Sequence, residues 1–169
     1  DFSLPLPSGS DLLENMEEEK GSALDRLAVR QSHRLRLGRT SQPGARYFVT
    51  CVVAGRTPLL RASAATQALI QHWERLDPDD AEAWCLMIMP DHIHGVFRLG
   101  QRLSLGQFIG RMMAQVSLTR GSWQAGYFDH RLRPGEPFAA FAKYLFMNPY
   151  RAGLMGPDQA WPGWRIWKP

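Results

Sequence analysis

Two hydrophobic periods take turns along this chain. Residues 47–53, Tyr-Phe-Val-Thr-Cys-Val-Val, are β-branched and aromatic and predict a strand. Over residues 59–76 the apolar positions, Leu60, Ala64, Ala68 and Trp73 among them, recur at helical spacing up to Asp77-Pro78-Asp79-Asp80. Residues 83–89 and 93–99 predict two strands, and the few residues between them suit a tight hairpin. The helical period returns over residues 103–118, starting at Ser104 or at Gly100-Gln101, with Phe108, Ile109, Met112, Met113, Val116 and Leu118 as core positions. Residues 127–132 predict a short fourth strand, and Arg133-Pro134-Gly135 a turn. A third helix over 137–147 opens with Pro137 and is disrupted at Pro149. Trp161, Trp164 and Trp167 in the tail are expected to pack on the core, with stacking on bases as the alternative.

Strand, helix, strand, strand, helix, strand is the ferredoxin-like order. The expected class is α+β, an antiparallel βαββαβ sheet with helices on one face and an N-terminal helical, acidic arm. The expected organisation is an acidic flexible arm over 1–21, a basic helix and linker over 22–45, and one main domain over 46–169 with a Trp-rich tail. Many activities share this architecture, so it does not choose a function.

Charge narrows the choice. The chain has 169 residues and a net charge of +4. Residues 1–20 hold six acids against one lysine, whereas residues 26–73 hold eight arginines and no acid. Arg26, Arg30 and Arg34 are spaced by four, on one face of a helix. With Arg36, Arg39, Arg46, Arg56 and Arg61 they form the Arg-dominated patch expected to meet phosphate backbones. No apolar run reaches the ~18–20 residues of a membrane span, and the polar, acidic start does not read as a secretory signal. Cys51 and Cys85 lie in apolar strands without a Cys-x-x-Cys motif, so both are expected as buried free thiols in a reducing compartment, here the cytoplasm.

Candidate chemistry centres on Met89-Pro90-Asp91-His92-Ile93-His94-Gly95. On a strand His92 and His94 leave one face about 7 Å apart along the chain, close enough to converge on one metal ion. Ile93 then points into a core, and Pro90 and Asp91 mark the strand entry. A second half lies in Tyr144-Leu145-Phe146-Met147-Asn148-Pro149-Tyr150-Arg151-Ala152-Gly153-Leu154, where Tyr144 and Asn148, four apart, share a helix face. Because Asn148 precedes a proline, it is expected outside helical dihedrals at a fraying end, with its amide oxygen able to turn toward an ion.

These two blocks, with Tyr127-Phe128-Asp129-His130-Arg131-Leu132-Arg133 between them, resemble the IS200-like transposases. These are HUH single-strand DNA nucleases with a His-hydrophobic-His motif and one catalytic tyrosine. More narrowly the chain looks like their REP-associated tyrosine transposase branch. The resemblance covers most of the chain and implies a ferredoxin-like fold. It implies that His92, His94 and Asn148 bind Mg²⁺ or Mn²⁺, and that Tyr144 is the nucleophile, with Asp129 or His130 as possible assistants. It also implies a single-stranded DNA hairpin of REP type with a 5′ guide sequence as partner, held partly by Arg131 and Arg151, no membrane, and a monomer with a dimer as the alternative. A valine usually follows Asn-Pro in that family; Tyr150 stands there here.

Other classes fit less well. A histidine-triad phosphohydrolase needs a third His at position 96, which is Val96. An RNA-binding ferredoxin-like domain needs exposed aromatics on the middle strands, where His92 and His94 stand. A hairpin-binding protein without cleavage activity would not need Tyr144, both histidines and Asn148.

Overall fold

The computed structural model describes residues 41–61, 63–116, 122–156 and 158–168. The acidic arm, the basic helix and Arg26, Arg30, Arg34 and Arg36 lie outside the described residues. The elements are β1 (Arg46–Val52), α1 (Ser63–Glu74), β2 (Ala81–Ile88), β3 (His92–Leu99), α2 (Leu105–Ala114), β4 (Phe128–Arg131), α3 (Phe138–Phe146), α4 (Asn148–Arg151) and β5 (Trp164–Ile166). The sheet runs β4-β1-β3-β2-β5 with every pairing antiparallel. Its first four strands, with α1 and α2 as crossovers, are the ferredoxin-like core that the patterning predicts.

Strand alternation divides the core between two faces. One face carries Tyr47, Val49, Cys51, Ile93 and Phe97, and packs on Leu69, Ile70 and Trp73 of α1 and Phe108, Ile109 and Met112 of α2. The other carries Phe48, Cys85, Met87 and Val96, and packs on Phe138, Phe141, Ala142, Tyr144 and Leu145 of α3. The expectation of helices on one face therefore holds for the two crossover helices and is corrected for α3. The reason is in the strands: β1, β2 and β3 are apolar on both sides, and a sheet so built must be covered twice. A bulge between Ala83 and Cys85 lets Ala83 and Leu86 serve the first face while Cys85 and Met87 serve the second.

Helix ends follow local chemistry. Of the two candidate starts for α2, Ser104 is the cap: its hydroxyl accepts from Gln107 N at 3.3 Å, and the Gln107 side chain accepts from Ser104 N at 2.9 Å. Pro149 does not end the helical path. It sits in the first turn of α4, where its missing N–H is not needed, and Arg151 N donates to Met147 O at 3.0 Å across the junction. Asn148 is thus helical, a correction to its expected extended backbone.

The tail packs, as its tryptophans suggest. Trp161 Nε1 donates to Ile88 O at 2.7 Å, and the Trp167 ring stacks on Trp73 at 6.1 Å. It also adds β5 to the free edge of β2. Three residues after Pro162-Gly163 are too few to show a strand period.

Candidate functional site

His92 and His94 both face α3. Their ring centroids are 4.7 Å apart and nearly perpendicular. Each ring is oriented through Nδ1. His92 Nδ1 lies 2.6 Å from Asp91 Oδ1, and Asp91 Oδ2 also accepts from Arg56 at 3.1 Å. A carboxylate can only accept, so His92 Nδ1 carries the proton and Nε2 keeps its lone pair. His94 Nδ1 lies 2.8 Å from Thr50 Oγ1, on the neighbouring strand β1. Strand pairing brings this about, because Thr50 and His94 stand directly opposite in the β1–β3 ladder.

The electrostatics favour neutral rings. Burial pushes His94 well below the usual histidine range, and the charges of His92 and Arg56 push the same way. Burial also lowers His92, with the Asp91 carboxylate opposing it only in part. Burial of Asp91 acts to raise its pKa, but the His92 and Arg56 contacts outweigh it, and the carboxyl lies below its ordinary value. A pair of neutral imidazoles beside an ionised carboxylate is the form that binds cations.

The second half comes from the end of α3. Buried Tyr144 packs its ring 6.4 Å from that of His94, stands edge-on to Phe48 and lies under the Arg151 guanidinium at 5.2 Å. Asn148, one turn on, points its amide nitrogen back at the Tyr144 and Leu145 carbonyls, at 3.0 and 3.4 Å. The nitrogen must be the end that meets carbonyls, which leaves the oxygen as the end available to a cation. His92, His94, Tyr144 and Asn148 together line one cavity of about 310 Å³ with Thr50, Arg56, Gln124 and Tyr127.

Other residues singled out in the sequence stand elsewhere. His130 is on the face of the histidine pair, but its Nε2 meets Glu136 at 2.9 Å and its ring stacks on Phe141. Asp129 is paired with Val49, so it leaves the opposite face of the sheet. Neither is among the residues that line the cavity. Arg46 lies over the Trp84 ring at 5.3 Å. Arg131 donates to Gln42 and, opposite Tyr47, belongs to the far face. Of Arg46, Arg131 and Arg151, only Arg151 adjoins the site. Conversely, sequence reasoning assigned no role there to Thr50, Asp91 or Gln124, and counted Arg56 only as part of the basic patch. Asp91 carried the one usable signal, an acid adjacent to a candidate ligand; the others arrive by strand pairing and loop return.

The donor set can be tested against a cation. Among the described residues no three His, Cys, Asp or Glu side chains cluster to hold a metal. Two imidazole nitrogens and an amide oxygen fit a divalent ion that draws its remaining ligands from water or phosphate, as Mg²⁺ and Mn²⁺ do at phosphoryl centres.

No protein-family model matches the chain. Among curated proteins, one from Haemophilus influenzae named "Putative REP-associated tyrosine transposase" is 21% identical over 137 residues, 70% of this chain and 78% of its own length. A solved REP-associated tyrosine transposase bound to a REP hairpin superposes with a TM-score of 0.57 at 19% identity, covering 69% of this chain and 73% of the other. This chain is similar to the REP-associated tyrosine transposases. The superposition establishes a fold shared with such a transposase. A structure described as a putative transposase of Deinococcus radiodurans aligns more loosely, with a TM-score of 0.40 and 14% identity over 72% of this chain and 99% of the other. The three sequence blocks that resemble REP-associated tyrosine transposases fall on β3, on β4 and on α3–α4 of this fold. Among the described residues no helix is long and apolar enough to cross a membrane.

Proposed function

We propose that this protein is a REP-associated tyrosine transposase that nicks and rejoins single-stranded DNA at REP-type hairpins through a 5′-phosphotyrosine on Tyr144. The observation that carries this reading is the convergence of His92, His94, Asn148 and Tyr144 on one cavity. The likeness to REP-associated transposases, one of them solved with a REP hairpin, supports the substrate class.

Tyr144 Oη attacks the phosphorus, the P–O3′ bond breaks, and the departing strand leaves with a free 3′-hydroxyl. Attack by a 3′-hydroxyl on the phosphotyrosine reverses the step and rejoins strands without ATP. A phenol with an ordinary pKa near 10 is a weak nucleophile at neutral pH and needs activation. His92, His94 and Asn148 would hold a divalent cation, which when bound supplies the positive charge that polarises a phosphodiester. Asp91 and Thr50 keep the two Nε2 atoms aimed into the cavity, and Phe48 holds the Tyr144 ring against His94. Arg151 places a positive charge over the Tyr144 ring. All four central residues line one cavity within a single protomer.

The test is incubation with labelled hairpin DNA and Mn²⁺, followed by a search for an SDS-stable adduct. An adduct on single-stranded but not duplex DNA is expected, with EDTA abolishing it. Tight hairpin binding with no adduct under any divalent cation would instead support a hairpin-binding protein without cleavage.

A further inference from the structure

Arg56 stands out from its surroundings in backbone and in position. Its φ is 52°, the left-handed region, and among the described residues it is the non-glycine residue found there. It follows Gly55 at φ 62° in a tight turn closed by Arg56 N to Val53 O at 3.0 Å. Glycine or asparagine would occupy this backbone with less strain than arginine. Backbone strain of this kind collects where a side chain is needed in a particular place.

The Asp91 contact does not account for it. That pair is single, at 3.1 Å, with the Arg56 side chain 66% exposed, and exposed pairs add little to stability. Position gives a better account. The turn that carries Arg56 follows directly on β1, and the guanidinium lies at the rim of the cavity lined by His92, His94, Tyr144 and Asn148. Only one of its five donors meets Asp91. A planar fork with donors to spare beside such a cavity matches a phosphate oxyanion.

We propose that Arg56 is a phosphate-binding residue of this site: with Asp91 steadying one arm of its guanidinium, it donates to a nonbridging oxygen of the phosphodiester that enters beside His92 and His94. This rests on the nuclease reading above. It adds a contact that survives without the cation and does not involve Tyr144. The Asp91 carboxylate is then shared, orienting His92 through one oxygen and Arg56 through the other.

The experiment measures hairpin binding in EDTA, with a natural or an uncharged methylphosphonate linkage at the position where wild-type protein forms its adduct. Wild type, Arg56→Asn and Arg56→Lys are compared. Asparagine accepts the left-handed backbone, so thermal stability should be kept while the guanidinium is lost. Wild type should bind the methylphosphonate hairpin about tenfold more weakly, as for one charge-assisted contact. Arg56→Asn should bind both hairpins equally, at the weaker level, and Arg56→Lys should keep part of the discrimination. Equal loss on methylphosphonate substitution in wild type and Arg56→Asn would overturn the assignment and leave the nuclease reading standing. So would a wild type indifferent to the substitution. A wild type that neither binds hairpin DNA nor forms an adduct overturns both.

Discussion

Gly95 lies directly beneath the Trp73 ring, so close that a β-carbon on it would come within 2.3 Å of Trp73 Cη2. The residue after His94 is therefore a glycine because α1 lays an indole across β3 on the face opposite the histidines. That indole is itself stacked on Trp167 and held edge-on by Phe97 and Phe108, which leaves it little room to retreat. Gly95→Ala should destabilise the fold by roughly 1–3 kcal/mol through overpacking, read as a lower midpoint in urea unfolding. An unchanged midpoint would mean that the indole moves freely.

Tyr144→Phe should abolish the covalent DNA adduct and leave hairpin binding within about twofold. The ring contacts with Phe48 and His94 do not need the hydroxyl, so the variant should still fold. An adduct that persists in this variant would put the nucleophile elsewhere.

Asp91→Asn should weaken Mn²⁺ binding by roughly 10- to 100-fold, the usual effect of losing a partner behind a ligating histidine. Calorimetric titration without DNA reads this directly. Among the described residues the Asp91 side chain, at the start of β3, has partners only in His92 and Arg56, so the melting temperature should hold. Identical Mn²⁺ affinity in variant and wild type would deny that this carboxylate orients His92.

His72 on α1 has a buried Nε2 with no hydrogen-bond partner among the described residues. Burial lowers its pKa from 6.5, with the Asp80 charge opposing only partly. The unfolded chain then takes up the proton more readily than the folded one. The associated stability is fully present above about pH 6.5 and is lost as pH falls from there toward the folded-state value. His72→Leu should therefore gain on wild type in melting temperature between pH 7 and pH 5. A constant difference across that range would show that His72 titrates alike in both states.

Cys51 and Cys85 are free and buried, and burial pushes both thiols far above their ordinary pKa. A thiol-specific disulfide reagent at pH 8 should leave both unmodified in the native protein and label both in denaturant. Fast labelling of either in the native state would indicate local opening of β1 or β2.

How much was legible in the sequence depends on whether a feature is local. The strand of Tyr47-Phe48-Val49 and the helix around Phe108-Ile109-Met112 declare themselves because period and composition are properties of neighbours along the chain. The same holds for His92 and His94: two residues apart on a strand, they must share a face. Tyr144 and Asn148, four apart across one helical turn, follow the same rule, and Pro149 misled only about the backbone, since a proline is equally at home opening a helix as ending one.

What the linear order left open was every relation between elements. That α3 covers the second face of the sheet, rather than joining α1 and α2, depends on both faces of β1, β2 and β3 needing cover. That Thr50 orients His94 is a matter of ladder register, and that Arg56 reaches the cavity depends on a left-handed turn just past β1. That Asp129 leaves the far side while His130 is tied to Glu136 follows from pairing with β1 and from a loop's return. Periodicity reports which side of its own element a residue occupies. Which side chains then meet across elements is decided by burial of two apolar faces at once, and that is a property of the folded whole.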